Sequence, residues 1–238
     1  MGGWTMAVRR RPRVAVVVFP GSNCDRDAMA AVEKAGGEAV PVWHASHDLA
    51  GCGAVILPGG FSYGDYLRAG AMAAHSPVLQ AVRRHAADGG AVLGICNGFQ
   101  ILLEVGLLPG AMLMNRTLRF VCRDVYVRVE RSDLPMLAHL ERGQVMRLPV
   151  AHKEGNWFAD PDAVDYLEAL GAVALRYSGP GGEGADDANP NGALHDVAGL
   201  VNAAGNVLGM MPHPERRVSA LLGGSDGLAL IRGLVEAT

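Results

Sequence analysis

The pentapeptide Gly94-Ile95-Cys96-Asn97-Gly98 constrains this chain more than any other segment. It follows the apolar run Ala91-Val92-Leu93 and precedes the helix-like stretch Phe99-Gln100-Ile101-Leu102-Leu103-Glu104. The expected local structure is strand, tight turn, helix, with a cysteine at the tip. This is the thiol version of the Gly-x-Ser-x-Gly nucleophile elbow. A strand that turns into a helix within three residues leaves no room for side chains beside the nucleophile, and glycine has none to collide. The sulfur then faces a helix N-terminus, where unpaired N–H groups and the helix dipole favour a thiolate. In isolation, a buried core cysteine beside a glycine-rich turn would look the same.

The surrounding chain sets this unit in an α/β architecture. Val14-Ala15-Val16-Val17-Val18-Phe19 reads as a strand buried on both faces, broken by Pro20-Gly21-Ser22-Asn23. A helix is predicted over 25–35, ended by Gly36-Gly37, with strands over 38–43 and 54–57. A second helix is predicted over 77–87, with Pro77 near its start and Gly89-Gly90 beyond its end. Strands alternating with helices predict a largely parallel sheet flanked by helices. The second half differs: strands are predicted over 124–129, 144–150, 173–177 and 207–211, a Gly/Asp/Asn/Pro-rich loop over 178–192, and a closing helix over 223–237. No linker splits the chain, so residues 14–238 are read as one domain preceded by a tail, 1–13.

Half of the 238 residues are apolar, enough for a substantial core. The net charge of −3 gives no reason to expect nucleic acid. The basic cluster Arg9-Arg10-Arg11-Pro12-Arg13 is short and is read as part of a solvated tail. No apolar run reaches the ~18 residues of a membrane span, and the N-terminus lacks a signal-peptide core. Cys24, Cys52, Cys96 and Cys122 are widely spaced and form no CxxC pair, so neither a disulfide framework nor a metal site is expected. A reducing, cytoplasmic setting fits.

Two further segments supply what a thiol needs. Met211-Pro212-His213-Pro214-Glu215 follows a predicted strand. A His-x-Glu pair in extended backbone puts both side chains on one side, and Pro214 biases His213 toward that conformation. The carboxylate can fix the imidazole tautomer and stabilise its cation while the other ring nitrogen faces a nucleophile. Cys96, His213 and Glu215 therefore have the parts of a catalytic triad. The loop Leu57-Pro58-Gly59-Gly60-Phe61-Ser62-Tyr63-Gly64-Asp65 also follows a strand. The N–H of Gly60 or Phe61, with that of Asn97 after the nucleophile, can form an oxyanion hole.

With these residues in place, the chain resembles the class I, triad-type glutamine amidotransferases, and more narrowly the glutaminase-subunit family of phosphoribosylformylglycinamidine synthases. The elbow and His-Pro-Glu segments carry the class. Phe19-Pro20-Gly21-Ser22-Asn23-Cys24-Asp25, Gly59 to Asp65 and Met210 to Arg216 carry the narrower likeness, with Asn115-Arg116, Phe120-Val121-Cys122, His152, Glu154-Gly155 and Asn189-Pro190-Asn191-Gly192 in support. It runs from about Val14 to the C-terminus. Lys153, Asn156-Trp157 and Ala193 depart from the expected pattern, away from the triad.

The resemblance implies a flavodoxin-like fold with extra strands in the second half, and glutamine hydrolysis to glutamate and ammonia. It implies that Gln100, Asn115, Arg116 and Phe120 bind substrate. The ammonia would pass to a large synthetase subunit that converts formylglycinamide ribonucleotide to its amidine with ATP, in purine biosynthesis, beside a small third subunit. No Gly-x-x-x-x-Gly-Lys-Ser/Thr occurs, so ATP and magnesium are expected on the partner and no cofactor on this chain. Cys24 is read as structural and His152 as positioning a loop. A stand-alone thiol hydrolase on a related scaffold, or a regulatory subunit with a vestigial elbow, remain alternative readings.

Overall fold

The computed structural model describes residues 10–185 and 187–238. The described residues contain eleven strands. In chain order they are β1 (Arg13–Val18), β2 (Glu38–Trp43), β3 (Ala54–Leu57), β4 (Ala91–Ile95), β5 (Ala111–Leu113), β6 (Val121–Val129), β7 (Val145–His152), β8 (Asn156–Phe158), β9 (Val173–Ser178), β10 (Val197–Val201) and β11 (Val207–Met210). Of these, β5 and β8 make a separate two-stranded ribbon, and the other nine form one sheet in the order β2-β1-β3-β4-β11-β10-β9-β6-β7. The helices are α1 (Asp25–Lys34), α2 (Val78–Ala87), α3 (Asn97–Glu104), α4 (Pro161–Ala169) and α5 (Leu228–Glu236).

β2, β1, β3, β4 and β11 run parallel, and β10, β9, β6 and β7 extend the sheet in antiparallel pairs. The parallel strands are covered on both faces, which is why β3 and β4 are buried at every residue. The antiparallel β6 and β7 alternate instead, with Val125, Val127 and Val129 buried against Met146, Leu148 and Val150. α1 buries Ala28, Ala31 and Val32, the i, i+3, i+4 stripe of an amphipathic helix. α3 is buried from Asn97 to Leu103, as expected for a helix wedged between the sheet and its surroundings.

The predicted strands and helices of the first half recur within a residue or two. Differences lie in the second half. α4 is an addition to the expected elements: Asp160 caps it by accepting the Asp162 N–H (3.2 Å), and Pro161 stands at its first turn. β10 is a second addition, and the closing helix starts at Leu228 after a short 3₁₀ turn, Ala220–Leu222. Arg13 lies in β1 and donates to Glu38 of β2, and Arg11 donates to Glu33 of α1 and to the Gly36 carbonyl, so these two members of the basic cluster are engaged by the fold rather than part of a solvated tail. Residues 1–9 of the predicted tail lie outside the described residues.

Candidate active site

β4 and β11 are adjacent and parallel, with Met210 opposite Ile95. Their C-terminal ends therefore deliver Cys96 and His213 to the same edge of the sheet, where ligands of open α/β sheets bind. Cys96 sits at φ +49°, ψ −104°, a conformation strained for any residue with a side chain. Neighbouring structure holds it there: its N–H donates to the Met210 carbonyl (2.7 Å) and its carbonyl accepts from the Gln100 N–H (3.1 Å). The flanking glycines are obligatory by packing. A Cβ on Gly94 would stand 2.5 Å from Leu102 and 2.7 Å from the Gly98 carbonyl oxygen; one on Gly98 would collide with the Leu57 carbonyl.

His213 follows β11 and is fixed by its own N–H donating to the Pro149 carbonyl on β7 (2.9 Å). Its Nδ1 is 2.6 Å from Glu215 Oε1, and both side chains are essentially inaccessible to water. Burial opposes the charged imidazole, but the Glu215 carboxylate and the neighbouring Cys96 outweigh it and raise the pKa of His213 well above the ordinary value. The Nε2 atom is buried and holds no hydrogen bond among the described residues. The pair thus presents one ring nitrogen to a carboxylate and keeps the other uncommitted beside the thiol.

Cys96 opens into a cavity of about 280 Å³ walled by Gly60, Phe61, Asp65, Gln100, Phe120 and residues 151–154. A smaller space of about 190 Å³, reached across Gly60, Phe61 and Phe120, touches His213, Cys24 and Arg216. Phe61 and Phe120 stack at the shared rim, their ring centroids 6.5 Å apart. Cys24, His213 and Glu215 bring ligand-type atoms within 4.8 Å of one another. His213 Nδ1 and Glu215 Oε1 are spent on each other, and Arg216 donates to the Cys24 sulfur (3.0 Å), so a guanidinium cation already stands at that corner.

The structure sorts the sequence-predicted oxyanion donors. The Phe61 N–H donates to the Gly21 carbonyl (3.2 Å) and is spent, a correction to its expected role. Gly60, at φ +133°, keeps an N–H with no hydrogen bond among the described residues. The Asn97 N–H belongs to the first turn of α3, where helix donors have no partner within the helix. The Asn97 side chain joins loop to elbow: Oδ1 accepts the Ser62 N–H (3.2 Å) and Nδ2 donates to Gln100 Oε1 (2.9 Å).

The predicted substrate residues divide. Gln100 and Phe120 line the cavity, but Gln100 is already engaged, its Nε2 donating to the Glu154 carbonyl (2.6 Å). Asn115 and Arg116 do not line it. Arg116 is exposed, and Asn115 is buried behind the wall, where its side chain binds residues 119, 152 and 155. Asp65 and Glu154 do line it, and no sequence signal marks them as substrate contacts. Burial, reinforced by Glu154, pushes Asp65 up to about 6. Of the positions off the expected pattern, Trp157 is a core residue whose indole N–H donates to the Pro109 carbonyl (3.0 Å).

Residues 11–223 match the model of the CobB/CobQ-like glutamine amidotransferase domain, and the chain belongs to that family. It is 59% identical over 224 residues to the phosphoribosylformylglycinamidine synthase subunit PurQ of Thermus thermophilus, covering 94% of this chain and 98% of that one. The PurQ subunit of Rubrobacter xylanophilus is 56% identical over 223 residues, covering 94% and 97%. Among solved structures, PurLQS of Thermotoga maritima contains a chain with a TM-score of 0.84 and 42% identity, covering 94% of this chain and 97% of that one.

Proposed function

We propose that the chain hydrolyses glutamine through Cys96, His213 and Glu215 and supplies ammonia to a phosphoribosylformylglycinamidine synthase assembly. The likeness to PurQ subunits supports the reaction, and the PurLQS neighbour supports an assembly with partner subunits, which on this reading are a large synthetase subunit and a small third one. The single observation that carries the residue assignment is the buried Glu215–His213 pair with its free Nε2 beside an elbow thiol.

The steps follow from that geometry. His213 Nε2 takes the Cys96 proton, and the sulfur attacks the side-chain amide carbon of glutamine. The resulting oxyanion is held by the N–H groups of Gly60 and Asn97. His213 returns its proton to the amide nitrogen, the C–N bond breaks, and ammonia leaves a γ-glutamyl thioester. Water, losing a proton to the same Nε2, cleaves the thioester to glutamate and restores the thiol. Glu215 holds the ring and its charge throughout.

On this reading ATP and magnesium act on the synthetase partner, and the enzyme works in the cytoplasm. Among the described residues no helix is long and apolar enough to cross a membrane. The test is glutamate release by the isolated chain and by the chain mixed with its synthetase subunits and their nucleotides. Glutamine-dependent amidine synthesis in the mixture is expected. Glutamate release that no partner alters, with no amidine formed, would instead establish a stand-alone hydrolase.

A further inference from the structure

Among its side chains, the wall of the Cys96 cavity contains one buried polar atom with nothing to bond. His152 is 3% exposed, lines that cavity, and its Nε2 has no hydrogen-bond partner among the described residues. Its protonation follows from the network behind it. Asn115 Nδ2 donates to the carbonyls of Arg119 and His152, both at 2.9 Å, so the amide orientation is fixed. Asn115 Oδ1 is then an acceptor, receiving the Gly155 N–H (3.0 Å) and His152 Nδ1 (3.1 Å). Nδ1 must carry the proton, and Nε2 must carry a lone pair. Burial, aided by the charge of His213, lowers the His152 pKa to about 4, so the ring is neutral at physiological pH. A buried acceptor left unsatisfied costs about 1–3 kcal/mol, and a donor that arrives with the substrate removes that cost.

Glutamine brings two kinds of N–H, at its α-ammonium and at its carboxamide. The cavity offers the carboxylates of Asp65 and Glu154 to the first. His152 lines the same cavity. It follows Ala151, whose carbonyl oxygen is 3.9 Å from the Cys96 sulfur. We propose that His152 Nε2 accepts a hydrogen bond from the carboxamide N–H of bound glutamine and turns the departing nitrogen toward His213. No proton moves to His152. The ammonia released carries the two amide hydrogens and one from His213, and the neutral imidazole has no Nε2 proton to convert it to ammonium.

This assignment rests on the Cys96–His213 mechanism and is tested separately from it. In the assembled enzyme, His152→Phe keeps a ring of similar shape and removes the lone pair together with the Nδ1–H donated to Asn115, while His152→Gln restores an acceptor oxygen and an N–H donor. The substrates are glutamine and the γ-methyl ester of glutamate, which has the same carbonyl and no carboxamide N–H. The Phe variant is expected to lower kcat/KM for glutamine about tenfold, the worth of one hydrogen bond, and to leave ester hydrolysis and ammonia-dependent synthesis unchanged. The Gln variant is expected to recover most of the glutamine activity. Equal losses on amide and ester, in both variants, would reduce His152 to a wall residue; no loss on either would remove it from the reaction. Labelling of Cys96 by an electrophilic glutamine analogue reports the underlying mechanism, and its failure would overturn that mechanism rather than the role of His152.

Discussion

Replacing Gly98 by alanine isolates the elbow without touching a reacting atom. A Cβ there would overlap the carbonyl oxygen of Leu57 and stand 2.6 Å from its carbonyl carbon and 2.9 Å from its Cβ. Ordinary contact begins near 3.4 Å, so α3 must retreat from β3 by about 1.5 Å. The Leu57 carbonyl is backbone inside the sheet, its residue paired with Gly94 on β4, and cannot yield. The retreat therefore falls on the first turn of α3, which carries the Asn97 N–H, and on Cys96 beside it. Overpacking of this kind costs about 1–3 kcal/mol of stability, and a 1 Å misplacement of reacting groups costs about 10²-fold in rate. The assays are thermal melting and glutamine-dependent synthesis, with ammonia-dependent synthesis as the control for assembly. Gly98→Ala is expected to fold with a lowered Tm, keep the ammonia-dependent reaction, and lose about 10²-fold in the glutamine-dependent one. A variant with parental Tm and glutamine turnover would refute the argument, because it would mean that α3 and β3 can separate freely.

Cys96→Ala should abolish glutamine-dependent synthesis and spare synthesis from ammonia, measured side by side in the assembled enzyme; more than a few per cent of residual turnover, on the order of what loss of a nucleophile permits, would exclude Cys96 as nucleophile. His213→Ala should fall nearly as far as Cys96→Ala, while Glu215→Gln falls less because it orients rather than transfers the proton; steady-state kinetics showing the reverse order would exchange their roles. Asp65 is raised to about 6 against an unfolded value near 3.9, so folding favours its protonated form. Its stabilising effect is present below about pH 4 and is lost as pH rises through about 6. Asp65→Asn should consequently be more stable than the parent by about 1–2 kcal/mol at pH 7, after allowance for partial exposure, and nearly equal at pH 4; melting curves that differ equally at both values would contradict this.

Legibility from sequence followed the locality of the signal. Val14 to Phe19 and the elbow announce themselves because a buried parallel strand is an uninterrupted apolar run and a tight turn demands glycine. β10 does not, because its run is only five residues, closely follows a glycine-rich loop and contains Gly199, whose missing side chain lets Gly209 of β11 approach. α4 carries its start signal in Asp160-Pro161, a cap followed by a first-turn proline, but its single buried apolar residue, Val164, leaves little periodicity behind that signal. In the site, Cys96, His213 and Glu215 lie inside short segments with fixed spacing. Asp65 and Glu154 come from distant parts of the chain and meet only once it folds, and no local pattern marks two carboxylates that share a cavity. Phe61 shows the same limit from the other side: its N–H is free in the sequence and spoken for once residues 20–23 pack beneath it.

The neighbouring strands β4 and β11 carry a consequence for how the protein fails. Cys96 and His213, the proposed nucleophile and base, follow neighbouring strands in the middle of a nine-stranded sheet rather than loops at its margin. Local opening begins at mostly exposed segments, such as residues 180–185, and reaches central strands last. The Cys96–His213 pair therefore belongs to the last unit to come apart. Partial unfolding, proteolytic nicking of the peripheral loop, or variation of its length should leave the chemistry intact, and inactivation should arrive together with loss of the whole sheet. The same placement makes a one-residue slip of β11 intolerable, since every side chain on it would change face.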